Sequence, residues 1–261
     1  LLPVNRRDLF GEADGTGFDS KDGCRCGRSH SSSTAGNHVM LDAVLPRGPA
    51  EGLCFLPIEG QRTQLIGYLI ASYLKGEALV IDPPSGETEL ILALLGEHGV
   101  RLTQVLRTHL HNSDIDEAPE LCARSGARLV VGRGSAQVAR DSCDVFVADA
   151  GSALHLGGEC IHVLATPGHT PACVSYLWRD RLFCGDVFDL GRCAAGDGAA
   201  EPARLFDSLT RRVFSLPGQT LVCPAHPIGG RRIALLGELR KRYAQVLGRG
   251  REAFITSMSA P

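Results

Sequence analysis

Apolar residues along this chain occur mostly in short runs, separated by Gly, Pro, Asp and Ser. Runs of this kind, rich in Val, Ile and Leu, are typical of buried strands. The pattern therefore predicts a protein built largely from short strands. The predicted strands are Leu53–Ile58, Leu65–Tyr73, Ala78–Ile81, Leu102–Leu106, Arg128–Val131, Val145–Ala148, Ile161–Leu164, Cys173–Trp178, Leu182–Cys184 and Thr220–Cys223.

Four other segments favour helices. Glu87–His98 has apolar residues on one helical face, and Ser85 before it is a candidate N-cap. The other predicted helices are Ile115–Ser125, Pro202–Phe214 and Ile233–Leu247. Strands come in two groups, each followed by helices, and two mixed β-sheets flanked by helices account for that order. We therefore predict an α/β fold of the αββα sandwich type.

The first part of the chain differs from the rest in composition and in hydrophobic pattern. Residues 1–48 are rich in Gly, Ser and Asp and lack a lasting periodicity, which predicts a flexible N-terminal leader. Its acidic residues, among them Asp8 and Glu12, argue against an intact organelle transit peptide. Residues 49–261 are expected to form the folded domain.

Composition narrows the class of partner. A formal net charge of −2 gives no electrostatic footprint for nucleic acid or an anionic membrane surface. No apolar stretch approaches the roughly 20 residues that a membrane-spanning helix needs. Most of the 10 cysteines lie within apolar runs, and Cys173 and Cys184 are predicted to be core thiols. Such cysteine usage favours a reducing compartment, the cytoplasm or the mitochondrial matrix.

Four short stretches carry the candidate chemistry. They are Thr108–Asp114, Thr166–Thr170, Cys184–Asp186 and Cys223–His226. Each lies just beyond a predicted strand, so their side chains could converge at one edge of the sandwich. His109 and His111 point to the same side of an extended loop, because side chains at i and i+2 do so. Histidine with carboxylate is a ligand set for zinc or non-haem iron.

In this order and spacing, the four stretches resemble the metallo-β-lactamase superfamily, whose first motif is His-x-His-x-Asp-His. The resemblance runs from about residue 53 to the C-terminus and implies the αββα fold. Within the superfamily, Ala165–Tyr176, Leu182–Arg192 and Cys223–His226 are similar to the persulfide dioxygenase branch. The resemblance also implies that Asp82, at the end of a predicted strand, supports the site loops by hydrogen bonding.

The first motif departs from the superfamily pattern. Ser113 stands where the superfamily has Asp, and Asp114 stands where it has the third His. With the histidine that matches His226, those two positions build the second metal site of the binuclear hydrolases. Serine is a poor ligand for a divalent cation, so hydrolysis by two metal ions is disfavoured.

The remaining set is His109, His169 and Asp186. Two histidines and one carboxylate form the facial triad of mononuclear Fe(II) oxygenases. The resemblance implies one Fe(II) per chain and oxidation of glutathione persulfide by O2 to sulfite and glutathione. His111, Asp114 and His226 are candidates for supporting residues or additional ligands.

Substrate recognition and two other functions stay open at this point. Arg192 matches an arginine of the persulfide dioxygenase branch, and its guanidinium could pair with a glutathione carboxylate. One alternative is a glyoxalase II-like hydrolase of glutathione thioesters, with zinc on His109, His111 and His169. The other is a catalytically inactive homologue that serves as a binding or regulatory module. The oligomeric state is also open, a homodimer included.

Overall fold

The computed structural model of the chain describes residues 52–110, 117–135, 143–190 and 200–259. The predicted leader, with its boundary to the folded domain, lies outside the described residues. Within the described ranges, no helix is both long enough and apolar enough to cross a membrane.

A first sheet contains six of the described strands, in the order in which they follow along the chain. They are β1 Leu53–Glu59, β2 Ile66–Ser72, β3 Glu77–Ile81, β4 Arg101–Leu106, β5 Arg128–Gly132 and β6 Val145–Ala148. The first three strands pair antiparallel, whereas β3 to β6 pair parallel. Because β3 and β4 are parallel and adjacent, the residues that follow them, Asp82 and the Thr108–His109 segment, lie at the same edge.

The second sheet has the strand order β12-β11-β10-β9-β8-β7. Its strands are β7 Ala153–Leu156, β8 Glu159–Ala165, β9 Val174–Trp178, β10 Arg181–Gly185, β11 Leu221–Pro224 and β12 Ala234–Leu235. Neighbours pair antiparallel except for β10 and β11, which are parallel. That parallel pair brings Asp186 and His226, each just beyond its strand, to one end of the sheet.

Helices cover the outer faces of both sheets. They are α1 Thr88–His98, α2 Ala118–Ser125, α3 Pro202–Ser208, α4 Leu236–Leu247 and α5 Arg251–Ser259, and α3 continues into a π-helical segment, Leu209–Val213. Apolar residues of α1 and α2 pack with the outer face of the first sheet, and those of α3, α4 and α5 pack with the second.

The inner faces of the two sheets enclose a third apolar layer rich in aromatic rings. Phe55 and Tyr68 of the first sheet pack with Phe183 of the second, with ring centroids 5.9 and 5.1 Å from that of Phe183. These side chains are buried, and burial of large apolar surface is the main force that holds two sheets together. The order of layers confirms the predicted αββα sandwich.

Several element boundaries differ from the sequence-based predictions. Strand β7 and helix α5 were not predicted; α5 follows a break at Gly250, where φ is +92°. Ser85 is not the N-cap of α1: that position is Glu87, which makes no side-chain capping bond. The predicted helix Ile233–Leu247 instead begins with the short strand β12, which pairs with β11 before α4 starts.

Candidate metal centre

His109 follows β4 and reaches the site from the first sheet. Its Nδ1 lies 2.9 Å from Oγ1 of Thr108, the preceding residue. The same Thr108 hydroxyl lies 2.7 Å from Oδ2 of Asp82, and the Thr108 backbone N–H donates to Oδ1 at 2.8 Å. The Asp82 side chain is buried, and its backbone has the left-handed φ of +46°. This conformation is strained for a residue other than glycine, and such strain tends to persist where function requires it.

These contacts fix which nitrogen of His109 can accept a metal ion. A hydroxyl has one hydrogen, and that of Thr108 is donated to the Asp82 carboxylate. Nδ1 of His109 must therefore donate to the Thr108 oxygen, so the lone pair of the neutral ring is on Nε2. Nε2 faces the interior of the site, 3.3 Å from Oδ2 of Asp186.

His169 lies in the turn that follows β8 and is fully buried. The turn passes close to α3: a Cβ atom on Gly168 would lie 2.3 Å from the backbone of Leu205, and φ there is +138°. On the other side, Thr170 donates its backbone N–H to Sγ of Cys173 at 3.1 Å. Burial raises the pKa of the Cys173 thiol to about 11, so it remains a neutral, buried thiol, as predicted.

Asp186 follows β10 and has a carboxylate oxygen close to ligand nitrogens of His109 and His169. The glycine before it allows the first-sheet loop to approach: a Cβ on Gly185 would lie 2.4 Å from Oγ1 of Thr108. Burial by itself raises the pKa of Asp186, but the imidazoles of His109 and His226 outweigh it and hold that pKa well below its usual range. The carboxyl group is therefore ionised.

His226, beyond β11, contacts Asp186 directly. Its Nδ1 lies 2.9 Å from each carboxylate oxygen of Asp186, within hydrogen-bond distance. The side chain is one-third exposed, in contrast to the almost complete burial of Asp186. Because the Asp186 carboxylate is ionised, Nδ1–H of His226 is the donor in this contact.

Three of these side chains form a group with the composition of a metal site. One ligand atom each from His109, His169 and Asp186 lies within 4.8 Å of the other two. The two imidazole rings meet edge to face, with centroids 4.9 Å apart. Two lone-pair acceptors as close as Nε2 of His109 and Oδ2 of Asp186 need a cation between them, either a proton or a metal ion.

Several predicted site residues fall outside the described residues. They are His111, Ser113, Asp114 and Arg192. Their proposed roles, as extra ligands, as a degraded second metal site or as a carboxylate partner, therefore stay predictions.

A cleft of about 140 Å³ opens beside Asp186 and His226. Asp189, Gly229 and Arg242 of α4 also line it. A Cβ on Gly229 would lie 2.2 Å from Nη1 of Arg242, so the guanidinium rests against bare backbone. Among the described residues, Arg242 is the cation that lines this cleft.

Sequence reasoning included Thr108 in the first of the four stretches but gave it no role, and it missed Arg242. Thr108 stands directly before His109, and a hydroxyl next to a candidate ligand is a signal that could have been used. Arg242 carries no comparable signal, because it lies among several basic residues on α4 and only the fold brings it to the cleft.

The αββα layers, with His109, His169 and Asp186 at the ends of their strands, define a class of protein: the chain belongs to the metallo-β-lactamase-fold superfamily. No family model matches the chain. It is 31% identical over 179 residues to the mitochondrial persulfide dioxygenase ETHE1 of Bos taurus, an alignment covering 66% of this chain and 68% of the relative. The relatives of this chain are enzymes.

Two further comparisons concern the reactions that similar proteins catalyse. The crystal structure of ETHE1 from Myxococcus xanthus superposes with a TM-score of 0.69 at 30% identity, covering 80% of this chain and 92% of that one. The hydroxyacylglutathione hydrolase of Anaeromyxobacter dehalogenans is 34% identical over 167 residues, covering 64% of this chain and 63% of the relative. Both an oxygenase and a hydrolase therefore occur among the relatives.

Proposed function

We propose that this chain is a mononuclear Fe(II) persulfide dioxygenase that oxidises glutathione persulfide with O2 to sulfite and glutathione. The observation that carries the proposal is the group of two imidazoles and one carboxylate at His109, His169 and Asp186. Two histidines with one carboxylate suit non-haem Fe(II). The persulfide dioxygenase relatives support the same reaction.

The residues present fit an iron ion. His109 would bind through Nε2, because its Nδ1 is held by Thr108. His169 would supply the second imidazole and Asp186 an ionised oxygen. Held by this set, Fe(II) would supply open coordination positions for O2 and for the persulfide sulfur.

The surrounding side chains prepare these ligands. The hydrogen bonds from Thr108 to Asp82 hold the His109 ring in one tautomer and one orientation, as outer hydrogen-bond partners do in metal sites. His226 donates to Asp186 and so fixes the carboxylate plane. The persulfide, O2 and one water give glutathione, sulfite and two protons, with cleavage of the sulfur–sulfur bond and transfer of electrons from the outer sulfur to O2.

Arg242 is proposed to bind a carboxylate of the glutathione moiety. The same cleft is lined by Asp186 and His226, so a tripeptide whose sulfur is at the metal could place an acidic end there. A guanidinium pairs well with a carboxylate, often through two hydrogen bonds. Predicted Arg192 could contribute to the same recognition.

Metal analysis and O2 uptake test the proposal together. Protein purified without oxygen and supplied with iron is expected to hold about one Fe per chain, and to form one sulfite for each O2 consumed with glutathione persulfide. His169→Ala should lose both iron and activity, whereas His155→Ala, an exposed histidine on β7, should keep both. Stable binding of two zinc ions, with no O2 uptake by the iron-loaded protein, would rule the proposal out.

A zinc-dependent hydrolase of glutathione thioesters is the second candidate, favoured by the hydroxyacylglutathione hydrolase relative. It predicts thioester turnover that requires zinc and is unaffected by removal of O2. If a metal-loaded preparation turns over neither substrate class, the chain is instead a binding or regulatory homologue.

The proposed compartment is a reducing one, the mitochondrial matrix or the cytoplasm. None of the seven cysteines among the described residues is in a disulfide.

A further inference from the structure

Four hydroxyl groups donate hydrogen bonds to backbone carbonyls in the loops of the candidate metal centre. The bonds are Tyr176 Oη to Arg107 O at 2.8 Å, Ser208 Oγ to Pro167 O at 2.7 Å, Tyr243 Oη to Phe188 O at 3.0 Å and Tyr68 Oη to Pro224 O at 2.7 Å. All four donor residues are buried. They come from four different elements of the fold.

The accepting carbonyls share one relation to the site. Each belongs to a residue two positions from one of the four site side chains: Arg107 from His109, Pro167 from His169, Phe188 from Asp186 and Pro224 from His226. A hydrogen bond two residues away along the chain fixes the path of the backbone that carries the site side chain. It does so without contacting that side chain. One hydroxyl thus anchors each site residue.

Two of these bonds cross between the sheets. Tyr176 belongs to the second sheet but holds the His109 loop, which leaves the first sheet. Tyr68 belongs to the first sheet but holds the end of β11, which leads to His226. His109 comes from the first sheet, whereas His169, Asp186 and His226 come from the second. These two hydrogen bonds therefore fix the distance between the sheets, on which the spacing of the site residues depends.

The other two bonds tie the site to the helical layer. Tyr243 of α4 holds the segment after Asp186, and Ser208 at the end of α3 holds the turn before His169. Burial raises the pKa of the Tyr68 and Tyr176 phenols well above its ordinary value. Those two hydroxyls therefore stay protonated and remain donors at any physiological pH.

We propose that Tyr176, Ser208, Tyr243 and Tyr68 are positioning residues that set the geometry and affinity of the metal centre by anchoring its four loops. The inference rests on the proposed function only in taking His109, His169 and Asp186 as metal ligands. It adds that the spacing of those ligands is maintained by hydroxyl groups that do not contact the metal.

Affinity for Co(II), measured by competition with a chromophoric chelator, tests this without reference to activity. Tyr176→Phe, Tyr243→Phe and Ser208→Ala each remove one oxygen, and each is expected to weaken Co(II) binding roughly tenfold or more and to shift the visible spectrum of the bound ion. Tyr68→Phe should weaken binding less, because it acts on the partner of Asp186 rather than on a proposed ligand.

Two control variants separate positioning from general loss of stability. Tyr73→Phe removes the remaining tyrosine hydroxyl of the chain, which contacts His98 on the surface. Thr103→Val removes a hydroxyl that donates to the Ala78 carbonyl at 3.0 Å, near the start of β4 and away from the site. Both should bind Co(II) as the unmodified protein does, even if Thr103→Val lowers the melting temperature.

The possible outcomes are distinct. If the unmodified protein binds Co(II) but all four site variants bind it within twofold as well, the positioning role is wrong while the metal site stands. If the unmodified protein binds no metal, the proposed function itself fails. Should a tyrosine variant not fold, Ser208→Ala, which deletes the smallest side-chain group of the set, decides the question.

Discussion

The two ends of the β-sandwich differ in how deeply their charged side chains are buried. At the metal-centre end, beyond β3, β4 and β10, ionisable side chains are buried and fixed by short hydrogen bonds, as with Asp82 and Asp186. At the other end, where the same strands β3 and β4 begin, an open groove of about 580 Å³ is lined by exposed ion pairs such as Arg128–Asp144. The larger cavity is therefore at the end with the less specific chemistry.

Desolvated, converging polar groups thus distinguish the candidate metal centre from the groove, whereas cavity size does not. Buried charge costs free energy unless each group is paired, so it persists where it has a use. Exposed ion pairs cost little and stabilise little. Substitutions at the two ends should therefore differ widely in effect.

The largest effect is expected for Asp186→Ala. It removes the only carboxylate of the His109–His169–Asp186 group, so metal affinity should fall by more than about 100-fold, beyond the loss usual for outer hydrogen-bond partners. Isothermal titration with Fe(II) under anaerobic conditions measures it. Asp144→Ala, at the opposite end, is the matched control and should bind as the unmodified protein does.

Gly185→Ala is expected to be the next most damaging change. The new methyl group would lie 2.4 Å from Thr108 Oγ1 at φ +57°, so both a steric clash and a left-handed backbone destabilise the variant, by about 2–4 kcal/mol. Gly76→Ala has nearly the same φ, +62°, but no atom within 4 Å, and should cost only about 1 kcal/mol. Equal losses in urea unfolding would show that the close approach at Gly185 is unimportant.

Asp82→Asn should weaken metal binding about 10–100-fold, because the Thr108 hydroxyl loses its anionic acceptor and no longer holds the His109 ring in one tautomer. Asn tolerates the positive φ of this position, so the backbone should persist. Chelator competition measures the affinity. An unchanged affinity would mean that the hydrogen bonds from Thr108 to Asp82 serve only the fold.

Arg242→Gln should raise KM for glutathione persulfide about tenfold with little change in kcat, since the proposed contact is a charged hydrogen bond to a substrate carboxylate and not to the reacting atoms. The loss should disappear when the substrate carboxylates are esterified. Arg249→Gln, a basic residue after α4, is the control and should leave KM unchanged. A KM increase that persists with the esterified substrate would exclude a carboxylate contact.

The smallest effect is expected for the Arg128–Asp144 pair. Its atoms are 2.6 Å apart, but more than half of each side chain is exposed, so a double-mutant cycle should give a coupling energy under about 0.5 kcal/mol. Thermal unfolding of the two single variants and the double variant measures it. A coupling comparable to the effect of Gly185→Ala would contradict the contrast between the two ends.

Much of the fold followed from local pattern. Each of the ten predicted strands, Leu53–Ile58 among them, coincides with an observed strand to within a few residues, because runs of buried β-branched residues bounded by Gly and Pro have few alternative structures. Strand β12 was absorbed into a predicted helix, since two residues carry no periodicity of their own. Its strand conformation comes from pairing with β11.

For the site, the sequence by itself determined which residue types stand at the strand ends, and hence that His109, His169 and Asp186 could converge. Only the tertiary structure decided how they are held: the tautomer of His109, the hydrogen bonds of His226 to Asp186 and the four anchoring hydroxyls. The physical reason is separation along the chain. The position of a residue at a strand end is a local property of the sequence. Apart from the contact of Thr108 with His109, each of these contacts joins residues far apart in sequence. No local pattern predicts which of those residues come into contact.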